Sequence, residues 1–217
     1  KIANRAGILV SLVDTTDINA VAAAIRPQTR IVWVESPGNP RMSITDIEAC
    51  AQIAHGQQAL LGVDNTFASP VLTRPLEHGA DIVMHSATKY LGGHSDLLGG
   101  VLAVKDESLR DRLYFIQNAT GAVLSPFDAF LCSRGIKTVY LRVHEQCRTA
   151  MLLAQWLEDA PQVQTVLYPG LSHHPGHALA ARQMDGCFGG MLSFEVAGDF
   201  QLLTEIQCGT WRLFAVA

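Results

Sequence analysis

The chain is short of charge. Asp, Glu, Lys and Arg make up 17% of its 217 residues, against about 25% in an ordinary globular protein. The 16 basic residues are scattered among 20 acidic ones, and the formal net charge is −4. No basic patch is available for nucleic acid or an anionic membrane surface. No apolar run approaches the roughly 20 residues of a membrane-spanning helix, and the opening residues do not read as a secretory signal. The five cysteines, Cys50, Cys132, Cys147, Cys187 and Cys208, are odd in number and include no CxxC pair. That pattern speaks against a zinc site or a disulfide framework and fits a reducing cytoplasm. Most of them are expected as small core residues. Internal repeats and low-complexity segments are also missing.

Apolar residues are plentiful, at 48%, which suits a well-packed globular protein. The chain opens at Lys1 rather than Met and stops at "WRLFAVA", so both ends read as cuts through a longer protein. Between them, β-branched runs alternate with helical patterns. "GILVSLVD" (7–14), "RIVWVES" (30–36), "ALLGVD" (59–64), "DIVMHS" (81–86) and "GGVLAV" (99–104) read as strands. "TDINAVAAAIR" (16–26) reads as a helix with Thr16 or Asp17 as N-cap. "TDIEACAQIAHG" (45–56) reads as another, with Thr45 and Glu48 forming a capping box and Gly56 ending it. The strands are mostly apolar throughout, as expected when helices cover both faces of a sheet. The rhythm implies an α/β fold with a mostly parallel, doubly wound sheet. A long helix over 137–159 follows, then alternating strands at "VQTVLY" and "MLSFEV" around a helical "HALAARQM". These suggest part of a smaller α+β domain. The expected division is 1–140 and 141–217.

Three polar features end successive strands: "ESPGNP" (35–40), "VDNT" (63–66) and "SATK" (86–89). In a parallel sheet they meet along the carboxyl edge, where ligands gather. Ser86 and Thr88, two residues apart, present hydroxyls on one side of an extended segment and suit a phosphate. Lys89, expected in a buried turn, carries an amine that is nucleophilic toward an aldehyde when desolvated. Asp64, ending a buried strand, calls for a cationic partner. Phosphate, aldehyde and a protonated pyridine nitrogen together describe pyridoxal phosphate (PLP).

Blander readings exist. "DNT" suits an Asx-turn with Asp64 as a turn residue. Ser86 and Thr88 could cap a following helix, and Lys89 could be a surface lysine. "LGGHSDLLGG" has neither dinucleotide nor Walker spacing. "HHPGH" (173–177) lacks carboxylate or thiol company and reads as a solvated loop before a helix rather than a metal site. Trp33, Phe67, Trp156 and Phe194 fit core positions, and no aromatic residue stands out as a ring-stacking candidate.

"ESPGNP", "VDNTFASPVLTRPLEHGADIVMHSATKYLGGHSD" and "FIQNATGAVLSPFDAFLCSRGIKT" resemble the trans-sulfuration, or Cys/Met-metabolism, group of PLP enzymes. The resemblance covers essentially the whole chain. It implies the fold of type I PLP-dependent transferases. Lys89 becomes the lysine that forms the Schiff base, Asp64 the carboxylate facing the pyridine nitrogen, and Ser86 and Thr88 phosphate contacts. Asn39 becomes the asparagine near the ring hydroxyl and the substrate carboxylate. The resemblance also implies small amino-acid substrates and a homo-oligomer built as a dimer of dimers. The family's N-terminal phosphate turn, stacking tyrosine, and Tyr and Arg lent to a neighbouring subunit lie outside this sequence. So does its C-terminal substrate-binding arginine.

The implied chemistry is γ-elimination or γ-replacement, of the cystathionine γ-synthase or γ-lyase kind. Methionine γ-lyase and cystathionine β-lyase are alternatives. Gln117-Asn118 stand where Lys-Asp would be expected for methionine γ-lyase. An aminotransferase is a further option, and a truncated, non-catalytic module that keeps the fold is the reading from another class.

Overall fold

The computed structural model describes residues 5–196. Helix α1, Ile18–Ala24, starts where Asp17 accepts from the Asn19 and Ala20 amides at 2.9 and 3.3 Å. Strand β1 is Ile31–Glu35 and helix α2 is Ile47–Gly56. The cap of α2 is Asp46, which accepts from the Ala49 amide at 3.0 Å, and not the expected Thr45. The Thr45 hydroxyl is spent elsewhere, 2.7 Å from the Thr15 hydroxyl, and the residue is fully buried. Strand β2, Leu60–Asp64, and strand β3, Ile82–Ser86, follow, with a short helix α3, Ser69–Leu72, and a 3-10 turn, Pro75–His78, between them. Strand β4 is Gly100–Val104.

The sheet order is β1-β2-β3-β4. The first three strands are parallel, with Glu35 opposite Asp64 and Asp64 opposite Met84. Strand β4 turns back antiparallel to β3. Alternation puts Val34, Leu61, Val63 and Val83 on one face, where they are buried against Ile47, Cys50, Ala51 and Ala54 of α2. The opposite face carries Ile31, Trp33, Asp64, Met84, Ser86 and Leu102. It is open among the described residues, with Ile31, Trp33 and Leu102 at 44%, 46% and 50% exposure. Among the described residues a helix covers the first face, while Trp33 on the second is about half exposed rather than a core residue. Its ring lies over Gly62 of the next strand, where a Cβ would come within 2.4 Å. Trp156 is likewise half exposed.

The first expected strand is also absent. Residues 8–14 form no regular element, and Ile8, Leu9, Val10 and Leu12 are exposed. Without a neighbouring strand among the described residues, an apolar β-type pattern has nothing to complete its ladder.

Two helices stand where the sequence reading places no element. They are α4, Glu107–Thr120, which has no buried residue, and α5, Pro126–Ile136, capped by Ser125. Helix α6, Val139–Glu158, strand β5, Val163–Leu167, helix α7, His177–Gln183, and strand β6, Ser193–Val196, match the expected order. Strands β5 and β6 pair antiparallel. Val139, Val143 and Cys147 of α6 pack with Ala180, Met184, Ala68 and Leu72 into one cluster. Gln183 binds these parts together: its Oε1 accepts from the Ile47 amide, its Nε2 donates to the Thr45 carbonyl, and its own carbonyl accepts from the Thr73 hydroxyl. Cys50, Cys132 and Cys147 are buried as expected and Cys187 is half-buried; Cys208 lies outside the described residues.

The two faces predict different costs. In the 217-residue chain, Leu61→Ala should lower unfolding free energy by about 2–5 kcal/mol. Leu102→Ala should change it by less than about 0.5 kcal/mol. Urea unfolding of both variants checks this, and equal losses would mean that the open face is covered.

Candidate active site

The carboxyl ends of β1, β2 and β3 line up side by side, as the sequence reading requires. Asp64 closes β2 and is half-buried. Its Oδ1 accepts from the Thr66 amide at 3.0 Å and the Thr66 hydroxyl at 2.6 Å. The Asx-turn reading of "DNT" is thus right as local geometry. It does not use up the carboxylate, since Oδ2 has no protein partner among the described residues. The same Thr66 hydroxyl oxygen accepts from the Ser86 amide at 2.8 Å. One side chain therefore ties the end of β2 to the end of β3. Behind it, the Asn65 amide donates to the Ser69 and Thr73 carbonyls at 3.1 and 2.8 Å, which stiffens the loop that carries Thr66.

Asp64, Met84 and Ser86 share the open face of the sheet. The Ser86 hydroxyl has no partner among the described residues. Thr88 differs: its hydroxyl accepts from the Gly99 amide at 3.1 Å and lies 3.4 Å from the Gly99 carbonyl. It anchors the turn to the start of β4, helped by the Ala87 amide on the same carbonyl at 2.8 Å. Residues Ala87–Leu91 form a single wide turn closed by the Gly92 amide on the Ala87 carbonyl at 2.8 Å. Lys89 breaks its regularity, with φ −96° and ψ −118°. The Lys89 side chain is exposed rather than buried, and it makes no ion pair among the described residues. Ala87, Leu91, Leu97 and Cys132 pack beneath the turn.

Asn39 follows β1 in a tight loop. Its amide donates to Glu35 Oε1 at 3.2 Å, its side chain is exposed, and the Ser36–Pro37 and Asn39–Pro40 peptides are cis. The Pro40 carbonyl accepts from the Ser193 hydroxyl at the start of β6. Asn39 thus sits two strands from Lys89, at the same sheet edge.

His85 points to the covered face, 6% exposed, and its Nδ1 has no partner. Burial holds its imidazole below the ordinary value of 6.5, although Asp64 pulls it up. His174, expected in a solvated loop, is also buried, with its Nδ1 accepting from the Gly176 amide at 3.1 Å. Burial lowers its pKa as well. In the same segment His173 lies 3.3 Å from Glu158 and His177 Nδ1 lies 2.8 Å from the Pro169 carbonyl.

Sequence reasoning placed Thr66 in an Asx-turn but gave its hydroxyl no role of its own. The cross-strand bond to Ser86 was not readable, because it depends on register.

The donor set fits a pyridine-based phosphate cofactor: an anionic oxygen without a partner at Asp64, an unpaired hydroxyl at Ser86 and an unpaired amine at Lys89, all at one edge. Residues 1–217 match the family described as Cys/Met metabolism PLP-dependent enzyme. The chain is 48% identical over 217 residues to a cystathionine gamma-synthase of Mycobacterium tuberculosis, covering 100% of this chain and 55% of that protein. It is 47% identical over 218 residues to human cystathionine gamma-lyase, covering 100% and 53%. The crystal structure of metB from Corynebacterium glutamicum superimposes with a TM-score of 0.95 at 45% identity, covering 100% of this chain and 56% of that one. The chain spans about half the length of the curated relatives it matches.

Two measurements test this geometry. Thr66→Val removes the link between Asp64 and Ser86 and should cost about 1–3 kcal/mol of stability, whereas Thr66→Ser should keep most of it; thermal unfolding compares them. Buried, neutral His85 and His174 bind fewer protons folded than unfolded, so stability falls as pH drops below about 6.5. His85→Phe should flatten that fall in urea titrations between about pH 7 and 5.

Proposed function

We propose that this chain, which belongs to the Cys/Met metabolism PLP-dependent enzymes, carries the lysine-bearing part of a γ-elimination or γ-replacement enzyme. Its substrates are sulfur-containing or activated homoserine-type amino acids. The observation that carries the reading is the alignment of Asp64, Ser86 and Lys89 at one sheet edge, each with an unengaged polar atom. The names of the relatives, a cystathionine gamma-synthase and a cystathionine gamma-lyase, support this class of chemistry.

Bound PLP supplies an electron sink and a carbonyl that condenses with amines. This chain would supply part of the protein groups that hold it. Asp64 Oδ2, aimed by the Thr66 bonds to Oδ1, would accept from a protonated pyridine nitrogen. Ser86 offers its hydroxyl to the phosphate, while Thr88, bonded to Gly99, holds the turn and contributes to the phosphate side as a support. The Lys89 amine would hold the cofactor's carbonyl carbon and, once freed, would take the proton from the substrate α-carbon and return it to a neighbouring carbon. Water or a thiol would then decide between lysis and replacement. Asn39 faces the substrate carboxylate from the β1 loop.

We divide the chain into part of a cofactor-binding domain, 1–140, and part of a C-terminal domain, 141–217. We place the parent protein in the cytoplasm as a dimer of dimers. The support for assembly is the apolar surface left bare: Tyr114, Phe115 and Ile116 on α4, and Phe127 and Phe130 on α5, are all more than half exposed. No described helix is long and apolar enough to cross a membrane.

In the full-length protein, borohydride treatment with PLP should label the peptide containing Lys89. Lys89→Ala should lose the label and reduce turnover of cystathionine, or of O-succinylhomoserine with cysteine, by about 10²–10⁴-fold or more. A parent protein that takes no label is the non-catalytic module instead.

A further inference from the structure

Arg142 stands in the first turn of α6, far in sequence from the residues above. Its guanidinium makes three directed bonds. Nη1 donates to the Tyr90 carbonyl at 2.9 Å, Nη2 to the Gly135 carbonyl at 2.8 Å, and Nε to the Thr138 hydroxyl at 3.1 Å. It has no carboxylate partner among the described residues. A half-buried cation that spends its donors on neutral acceptors, with burial lowering its pKa, is an expensive way to hold a surface together. The location of the acceptors explains the arrangement.

Tyr90 is the residue after Lys89. The turn that carries Lys89 ends abruptly. The Gly92 amide bonds back to Ala87, the Gly93 amide to Lys89 at 2.7 Å, and Gly93 then leaves the helix at φ +77°. The Tyr90 carbonyl is left at a helix end without a main-chain donor. Arg142 supplies that donor from another helix. Glycine suits position 93, where φ is positive and a Cβ would lie 2.0 Å from Nη1 and displace the guanidinium. On the other side, Gly135 lets α5 ride directly on the turn, since a Cβ there would fall 2.2 Å from the Gly92 carbonyl oxygen and 2.6 Å from that of Leu91. The far end of the Tyr90 side chain is fixed as well. Its hydroxyl is buried against Gly190, and burial pushes its pKa up to about 12.

We infer that Arg142 is a positioning residue for Lys89: its guanidinium fork clamps the Tyr90 carbonyl and the end of α5 together, and so sets where the Lys89 amine stands relative to Asp64 and Ser86. The inference rests on the function proposed for Lys89. It adds that α6 and α5, which carry none of the proposed cofactor contacts, determine the placement of the amine. A lysine at 142 would keep the charge but could not span three acceptors in a plane.

The test uses the full-length protein, with Arg142→Met and Arg142→Lys beside the parent. Three quantities are read: the rate at which borohydride fixes PLP to Lys89 at saturating cofactor, the split between kcat and KM, and amide exchange over residues 87–93 against 59–64. Both variants should lose about 10–100-fold in fixation rate and in kcat, as expected when a reacting group is displaced by about an ångström. KM should shift by less than about threefold, since substrate contacts are untouched. Exchange should rise in 87–93 and stay at the parent level in 59–64. A general loss of packing would raise both segments together, and that result would overturn the assignment. So would a fixation rate and kcat within about twofold of the parent. Should Arg142→Met fail to fold, Arg142→Lys decides by the same readings. A parent that never fixes PLP at Lys89 sinks the functional proposal itself, whereas equal fixation by parent and variants sinks only the role of Arg142.

Discussion

A single hydroxyl holds the site in register. Thr66 accepts from the Ser86 amide while donating to Asp64 Oδ1, so the ends of two parallel strands cannot slide past each other without breaking the bond from the Ser86 amide. The remaining oxygen of Asp64 keeps its direction because the first is fixed. Everything proposed for the cofactor depends on that direction. So does the relation between Asp64 and the Lys89 turn, which follows Ser86 by only a few residues.

The polar edge is joined to the second half of the chain by several independent contacts. The Pro40 carbonyl meets Ser193, the Tyr90 carbonyl meets Arg142, and the cluster around Val143 and Met184 packs against Ala68 and Leu72 beyond the strand ends. Each of the three loops at the sheet edge thus touches an element from beyond residue 138. The chemistry-bearing residues lie early in the chain, and the rigidity that places them is supplied late.

The parallel strands β1 to β3 were legible because their apolar runs end in polar punctuation, and Asp64, Ser86 and Lys89 fall at those punctuation marks. The resemblance then singled out the same residues. What was not legible depended on distant partners. The pattern at 8–14 is a good strand pattern, but a strand exists only with a neighbour. Thr45 is a good cap by sequence, but Thr15 takes its hydroxyl and the duty passes to Asp46. Thr88 resembles Ser86 in sequence, yet Gly99 engages one hydroxyl and leaves the other unpaired. Trp33 fits a core position by sequence. Its face of the sheet is the one that carries the site, and there its ring stays about half exposed.

The Gln183 clasp has a consequence for the order in which this chain can be built. The amide of Ile47, at the entrance of the helix beneath the sheet, finds its acceptor 136 positions further along. During synthesis that amide must stay solvated until the acceptor has left the ribosome. The early βα layers can therefore collapse first, but they lock only after a long-range closure. The bond that closes the entrance of α2 therefore waits for the last helix described here.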